Sequence, residues 1–294
     1  MHNKIKEIKI IKCDVCNSDS YKKFASENGY HYFKCNKCGL VYVNPNQIGR
    51  HEYYGQEDRI WMSIFENADR KKFFIKELKF IDRLTKNRHG KLLDIGCGEG
   101  EFLELAKKDW WHVKGIEPTH SDFEKCKEKK LDVIYGYFPK KFYDSKERFD
   151  AVTMFDVLEH MRNPKAALKT VHELLKPDGV LLVRVPNPNY VILKKNIDKI
   201  FRLKRKIGKE ATYFNPGSHI FYFYPKTIRK LISDNGFKIV KMKYERSEIF
   251  KDKKIRIFAG MLHYAAKILY FVTLGRVNCM INTIVYTRKI EDTK

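Results

Sequence analysis

Leu92-Leu-Asp-Ile-Gly-Cys-Gly-Glu-Gly-Glu-Phe102 is the stretch on which the reading of the fold turns. Leu92 to Ile95 is a short apolar run broken by one carboxylate, as in a buried strand, and Glu101 to Lys108 carries helical spacing. Between them, Gly96, Gly98 and Gly100 permit a tight strand-to-helix turn and let a ligand approach the backbone closely. Several kinds of nucleotide-dependent enzyme share such a loop, so the turn alone does not name the ligand. Glu117 lies 23 residues after Asp94 and closes the next apolar run, Val113-Lys-Gly-Ile116. A carboxylate at that place can hold two ribose hydroxyls.

Strand and helix signals alternate downstream of the loop. Ser121 to Lys130 is a charged helix, Val133 to Tyr135 and Phe149 to Phe155 are strands, Asn163 to Leu175 is a helix, and Val180 to Val185 is a buried strand. The alternation predicts an α/β fold: a doubly wound, Rossmann-like parallel sheet with helices on both faces. Residues 187–224 break the rhythm and read as an insertion. It resumes with a helix at Lys226 to Asn235, stopped by Gly236, and a strand at Phe237 to Tyr244. Residues 249–278 form a second, apolar helical insertion, and Thr283 to Arg288 a last strand. Upstream, Phe73, Phe74, Leu78, Ile81 and Leu84 recur at helical spacing near the end of a connector over residues 46–89. The expected organisation is a small unit at 1–45, this connector, and a main domain over 90–294.

The first unit is marked by cysteine. Cys13-x-x-Cys16 and Cys35-x-x-Cys38 are separated by 18 residues, a spacing that suits a closed, tetrahedral four-thiolate zinc site of structural character. The other three cysteines, Cys97, Cys126 and Cys279, read as packing residues. Met1 to Lys12 lacks a long apolar run followed by small residues, so no secretory signal is expected. Paired metal-type cysteines without a disulfide framework point to the cytoplasm.

Three segments, taken in order, resemble the motifs of class I S-adenosylmethionine-dependent methyltransferases. Leu92 to Phe102 looks like the first motif. Phe149-Asp-Ala-Val-Thr-Met-Phe-Asp-Val-Leu-Glu-His160 looks like the fourth-strand motif. Leu174-Leu-Lys-Pro-Asp-Gly-Val-Leu-Leu-Val183 resembles the entry to the fifth strand. The resemblance, which covers roughly residues 90–245, implies a seven-stranded sheet and S-adenosylmethionine as cofactor. It implies that Asp94, Gly96, Cys97 and Gly98 surround the methionine end and that Glu117 and Pro118 lie at the ribose. Gly136 and Tyr137 would flank adenine, and Phe155 and Asp156 would face the cofactor cleft. Tyr137 departs from the family, many of whose members carry an acidic residue there. Asp156, Glu159 and His160, spaced to share one helical face, are similar to the acidic–acidic–His cluster of ubiquinone-pathway O-methyltransferases, which implies a divalent cation or a base. His219, in Pro216-Gly-Ser-His-Ile-Phe-Tyr-Phe-Tyr-Pro225, resembles the family's substrate-side histidine. Glu159, His160 and His219 are therefore the candidate catalytic residues.

Composition bears on the acceptor. The chain of 294 residues is 43% hydrophobic and 14% aromatic, enough for a real core. It carries 59 Lys+Arg against 36 Asp+Glu, a net +23, which attracts polyanions. Lys194 to Lys209 is basic with Ile197, Ile200, Phe201 and Leu203 interleaved; the resemblance implies a lid over the acceptor, and an amphipathic surface helix meeting phosphates or membrane headgroups is the alternative. Ile255 to Leu274 is apolar over a span's length, but Arg256, His263 and Lys267 interrupt it. Packing over the sheet is the leading expectation, with peripheral membrane contact or self-association as the alternatives. The expected acceptor is a hydroxyl of a sugar, a glycan precursor or a lipid-linked metabolite. RNA is the alternative, supported by the charge and the zinc unit but lacking the Asn/Asp-Pro-Pro-aromatic motif of base-amine methylation after the fourth strand.

Overall fold

The computed structural model describes residues 12–27, 30–43, 67–85, 89–201, 214, 219–245, 253–273 and 278–290. The connector before residue 67 and the basic lid beyond residue 201 lie outside these.

Seven strands make the main sheet: β4 (Lys91–Ile95), β5 (His112–Glu117), β6 (Val133–Tyr135), β7 (Phe149–Phe155), β8 (Leu175–Pro186), β10 (Phe237–Glu245) and β11 (Asn282–Lys289). Their spatial order is β10-β11-β8-β7-β4-β5-β6. The pairs β4/β5, β5/β6, β4/β7 and β7/β8 are parallel, while β11 runs antiparallel between β8 and β10. This is the doubly wound, seven-stranded arrangement expected from the sequence, with one reversed strand near its edge.

A period of two sorts the core. Leu93, Val152, Leu181, Val183 and Val285 join one apolar cluster, and their chain neighbours Leu92, Ala151, Leu182, Ile284 and Tyr286 join the other. The second cluster is covered by α1 (Asn67–Leu84) through Phe73, Phe74, Leu78 and Ile81, and by α2 (Glu101–Lys108) through Phe102, Leu103 and Ala106. α3 (His120–Glu128) adds Cys126. The first cluster is covered by α4 (Pro164–Leu174), by α6 (Pro225–Ser233), and by the N-terminal unit through Val15, Leu40 and Tyr42. Asn163 caps α4 by accepting a hydrogen bond from the Ala166 N–H at 2.9 Å.

The N-terminal unit has its own sheet of β1 (Tyr21–Glu27), β2 (Tyr30–Cys35) and β3 (Val41–Val43), to which a strand from far downstream adds itself. β9 (Phe221–Tyr222) pairs antiparallel with β3, Val41 opposite Tyr222 and Tyr42 opposite Phe221. The Thr227 hydroxyl of α6 donates to the Cys38 carbonyl at 2.7 Å.

The first insertion opens with α5 (Pro188–Phe201), and the second is α7 (Lys253–Val272). Among the described side chains of α7, none joins the two clusters that cover the sheet. Ala266 is buried against Cys279 and Met280, with Leu193 and Tyr244 alongside, in a cluster separate from the two that cover the sheet.

Leu40 is fully buried in the cluster it shares with Val183 and Phe223 of the main domain. Leu40→Ala is therefore expected to lower the stability of the whole chain by about 2–5 kcal/mol, read in denaturant as a shifted midpoint of one cooperative transition. A separate early transition confined to residues 12–43 would show instead that the two units fold independently.

Candidate functional site

Parallel strands end at one edge of a sheet, and ligands of doubly wound folds bind beyond those ends. β4 ends there in Asp94 to Gly100, β5 in Glu117, β6 in Gly136 and Tyr137, and β7 in Phe155 and Asp156. The topology thus brings every expected cofactor residue to one rim.

The glycine loop is held from below. The N–H groups of Gly96 and Cys97 both donate to the Ile116 carbonyl, at 2.8 and 3.3 Å. Gly96 has φ +69°, and a Cβ there would lie 2.6 Å from the Val157 Cγ2, so no larger residue fits. Gly98, at φ +54°, has nothing within 4 Å of the same position. The loop is therefore tight against the protein at Gly96 and open at Gly98. The thiols of Cys97 and Cys126 both donate to the Gly98 carbonyl, at 3.8 and 3.1 Å.

Glu117 ties the loop to the next turn. One carboxylate oxygen accepts from the Gly98 N–H at 2.9 Å and the other from the Thr119 N–H at 2.8 Å, with Pro118 between strand and turn. Burial pushes its carboxyl above the usual range, and the two backbone donors oppose that shift. Asp94 is also buried, and burial raises it to about 7 against the hydrogen bond that the Thr153 hydroxyl donates to it at 2.6 Å. Thr153 escaped the sequence reading, although a lone polar residue within Ala151-Val-Thr-Met-Phe155 was the available sign. Tyr137 is half-exposed on the rim, next to Gly136 at φ +143°. Phe155 packs edge-on against Phe73, Phe74 and Phe102 beneath the rim.

Asp156, Glu159 and His160 do not share a helical face. Asp156 has φ +56°, only Leu158–His160 forms a short 3₁₀ turn, and the Asp156 carboxylate pairs with the Arg184 guanidinium at 2.8 Å. Arg184, a cation within Leu181-Leu-Val-Arg-Val185 that the sequence reading passed over, lies over the Phe73 ring at 4.9 Å. His219 takes the third place. Glu159, His160 and His219 offer ligand atoms all within 4.8 Å of one another. The rings of His160 and His219 meet edge-on at 4.7 Å between centroids. Glu159 is fully buried, and the Ile220 N–H donates to its carbonyl at 2.9 Å, fixing His219 beside it. Burial first, and then the charge of His160, hold the His219 imidazole well below its ordinary pKa, so it is neutral. The candidate catalytic residues are thus together, at the join between the 3₁₀ turn and β9.

The four paired cysteines form the other group. Cys13, Cys16, Cys35 and Cys38 place their sulfurs within 4.8 Å of one another, with Cys13–Cys38 at 3.4 Å and Cys16–Cys35 at 3.5 Å. Each pair sits on a turn, and Gly39 at φ +80° follows the second.

Comparison with known proteins agrees with this architecture. A family model described as a methyltransferase domain matches residues 67–242. A ubiquinone biosynthesis O-methyltransferase of Rhodopseudomonas palustris (strain BisB5) is 33% identical over 104 residues, 34% of this chain and 41% of the relative. One from Histophilus somni (strain 2336) is 32% identical over 110 residues, 34% of this chain and 46% of the relative. The chain spans less than half the length of these curated relatives. Among solved structures, a SAM-dependent methyltransferase from Archaeoglobus fulgidus superposes with a TM-score of 0.51 at 18% identity, over 75% of this chain and 94% of that one. An S-adenosylmethionine-dependent methyltransferase from Mesorhizobium loti gives 0.50 at 14%, over 73% and 96%. These two likenesses concern the fold. With the family model spanning more than half of its length and the sheet order to match, the chain belongs to the methyltransferase domain family.

Proposed function

We propose that the chain transfers a methyl group from S-adenosylmethionine to a hydroxyl of a polar small molecule, namely a sugar, a glycan precursor or a lipid-linked metabolite. The observation that carries this reading is the loop that is closed at Gly96 and open at Gly98 beside a buried carboxylate, Asp94. When bound, S-adenosylmethionine supplies an electrophilic methyl on a sulfonium. Asp94 and the backbone of Gly96, Cys97 and Gly98 would hold its methionine end, Glu117 and Pro118 the ribose, and Gly136 and Tyr137 the adenine. Phe155 and Asp156 would line the cleft, Asp156 kept in place by Arg184. His219 is the base in this reading. A neutral imidazole accepts the hydroxyl proton, and the buried Glu159 carboxylate, with His160, orients it and balances the charge that results. A divalent cation held by Glu159, His160 and His219 is the competing arrangement, and loss of activity on chelation, restored by magnesium or manganese, would favour it.

The cysteine group supports a structural zinc ion. Zinc at about 2.3 Å from each sulfur sets sulfur–sulfur edges of about 3.8 Å, and the four thiols already lie near that spacing. We assign residues 1–45 to this zinc ribbon, 46–89 to the connector and 90–294 to the methyltransferase domain, working in the cytoplasm. The purified chain is expected to hold about one zinc per molecule by elemental analysis, and Cys35→Ser to lose it. A zinc-free, fully folded wild type would remove the assignment.

Asp94 predicts a pH dependence. Because burial holds it at about 7, it is protonated below that pH and ionised above it. The ionised form attracts a cation. Affinity for S-adenosylmethionine is therefore expected to level off above pH 7 and to weaken below it, by up to about tenfold per pH unit. Asp94→Asn should bind more weakly and without this slope. Calorimetric titration on either side of neutrality reads both, and a pH-independent wild type would contradict the role given to Asp94.

The test of the reaction is methyl-labelled S-adenosylmethionine incubated with the protein and an extract of its source. Label in the sugar or lipid fraction supports the proposed acceptor, and label in RNA overturns it. In the same assay His219→Ala should lower kcat by about 10²–10⁴ with cofactor affinity unchanged, whereas an unaltered kcat would reduce His219 to packing.

A further inference from the structure

Of the fourteen large hydrophobic side chains that the described residues expose, seven lie on α7. At about 100° per residue, Ile257, Met261, Tyr264, Ile268, Phe271 and Val272 share an arc of about 100° along this 20-residue helix. Phe271 is 72% and Val272 75% exposed. The opposite side holds the contact with the protein, with Ala266 buried and His263 and Tyr270 partly covered. A helix that packs on a soluble domain has its large apolar residues inside and its polar ones outside. Among the described side chains of α7 only Ala266 is buried, whereas seven large apolar ones face out, so the stripe reverses that pattern and suits a cover from beyond this fold.

The charge around the stripe says what covers it. Lys253, Lys254 and Arg256 open the helix in sequence, and Lys267 is exposed on its flank. α5 meets α7 through Leu193 at the Ala266 cluster, and Lys195, two residues further along α5, is exposed. The whole chain carries +23. A second copy would set like charge against like charge, whereas an anionic lipid surface matches both the apolar stripe and the basic flanks. No helix among the described residues is long and apolar enough to cross a membrane, which leaves α7 in the plane of the interface. We propose that α7 is an interfacial anchor that seats Ile257, Met261, Tyr264, Ile268, Phe271 and Val272 in the headgroup region of an anionic bilayer. The anchor does not rest on methyl transfer, though it would bring a lipid-linked acceptor to the side of the molecule where α5 begins.

Flotation of the full chain with vesicles of phosphatidylcholine, with or without phosphatidylglycerol, tests this in the absence of S-adenosylmethionine. Binding is expected to the mixed vesicles only and to weaken with added salt. The double variant Ile268→Glu/Phe271→Glu is expected to bind at least about tenfold more weakly, with its melting temperature and cofactor affinity unchanged because both side chains face away from the buried seam. Tyr264→Trp keeps the stripe apolar and gives a second readout, a blue shift of emission on the mixed vesicles. Equal binding to neutral vesicles, binding to neither, or a dimer in sedimentation that the double variant dissociates would overturn the proposal, the last by assigning the stripe to a second copy. Because no step needs the methyl donor, failure here leaves the methyl-transfer reading standing, and failure of that reading leaves this one.

Discussion

A parallel sheet offers no face to water, since every strand in it is apolar on both sides and must be covered twice. In this chain β4 shows the condition plainly: Leu92 to Ile95 are all buried, alternate residues serving opposite layers. α1, α2 and α3 suffice for one layer. α4 and α6 share the other with the N-terminal unit, whose Leu40 and Tyr42 join the cluster containing Val183 and Ile228. Cys13, Cys35 and Cys38 belong to the same cluster. The cluster of four thiols, with Cys16 packed against the other three, is thus continuous with the wall of the main domain.

The same arrangement concentrates unfavourable electrostatics at one rim. A strand that is apolar throughout can carry a carboxylate only at its end, and even there Asp94 and Glu117 are almost wholly buried. Each is partly compensated, Asp94 by the Thr153 hydroxyl and Glu117 by two backbone amides. Desolvation still dominates both, and their acids are weakened accordingly. Carboxylates held in that condition are suited to a ligand that carries positive charge and hydroxyl donors.

Local patterns were legible in the sequence, and pairings between distant segments were not. The helix at Glu101 to Lys108 and the strand at Val133 to Tyr135 fall where apolar spacing puts them, because period and glycine placement are properties of neighbouring residues. The two CxxC pairs were readable for the same reason, since each turn positions two thiols by itself. His219 beside His160, Thr153 beneath Asp94 and Tyr222 opposite Val41 are products of the sheet, which no spacing encodes. Asp156 shows the opposite error. Its spacing to Glu159 and His160 matches a helix, but its left-handed φ and its bond to Arg184 turn it away. A short 3₁₀ turn does not carry the geometry that an i, i+3, i+4 pattern assumes.

The pairing of β3 with β9 has a consequence for the order in which the molecule is assembled. A chain made from its N-terminus exposes β1, β2 and β3 first, yet the edge of β3 finds its partner only after Phe221 and Tyr222 have emerged. Until then the nascent ribbon presents an open strand edge and an uncovered Leu40, both invitations to pair with other chains. Closing so long a loop costs little more entropy than closing one of half the length, so the delay is one of synthesis time. Early capture of a metal ion by the four thiols would shorten the hazard by locking the turns while the rest of the chain is still being made.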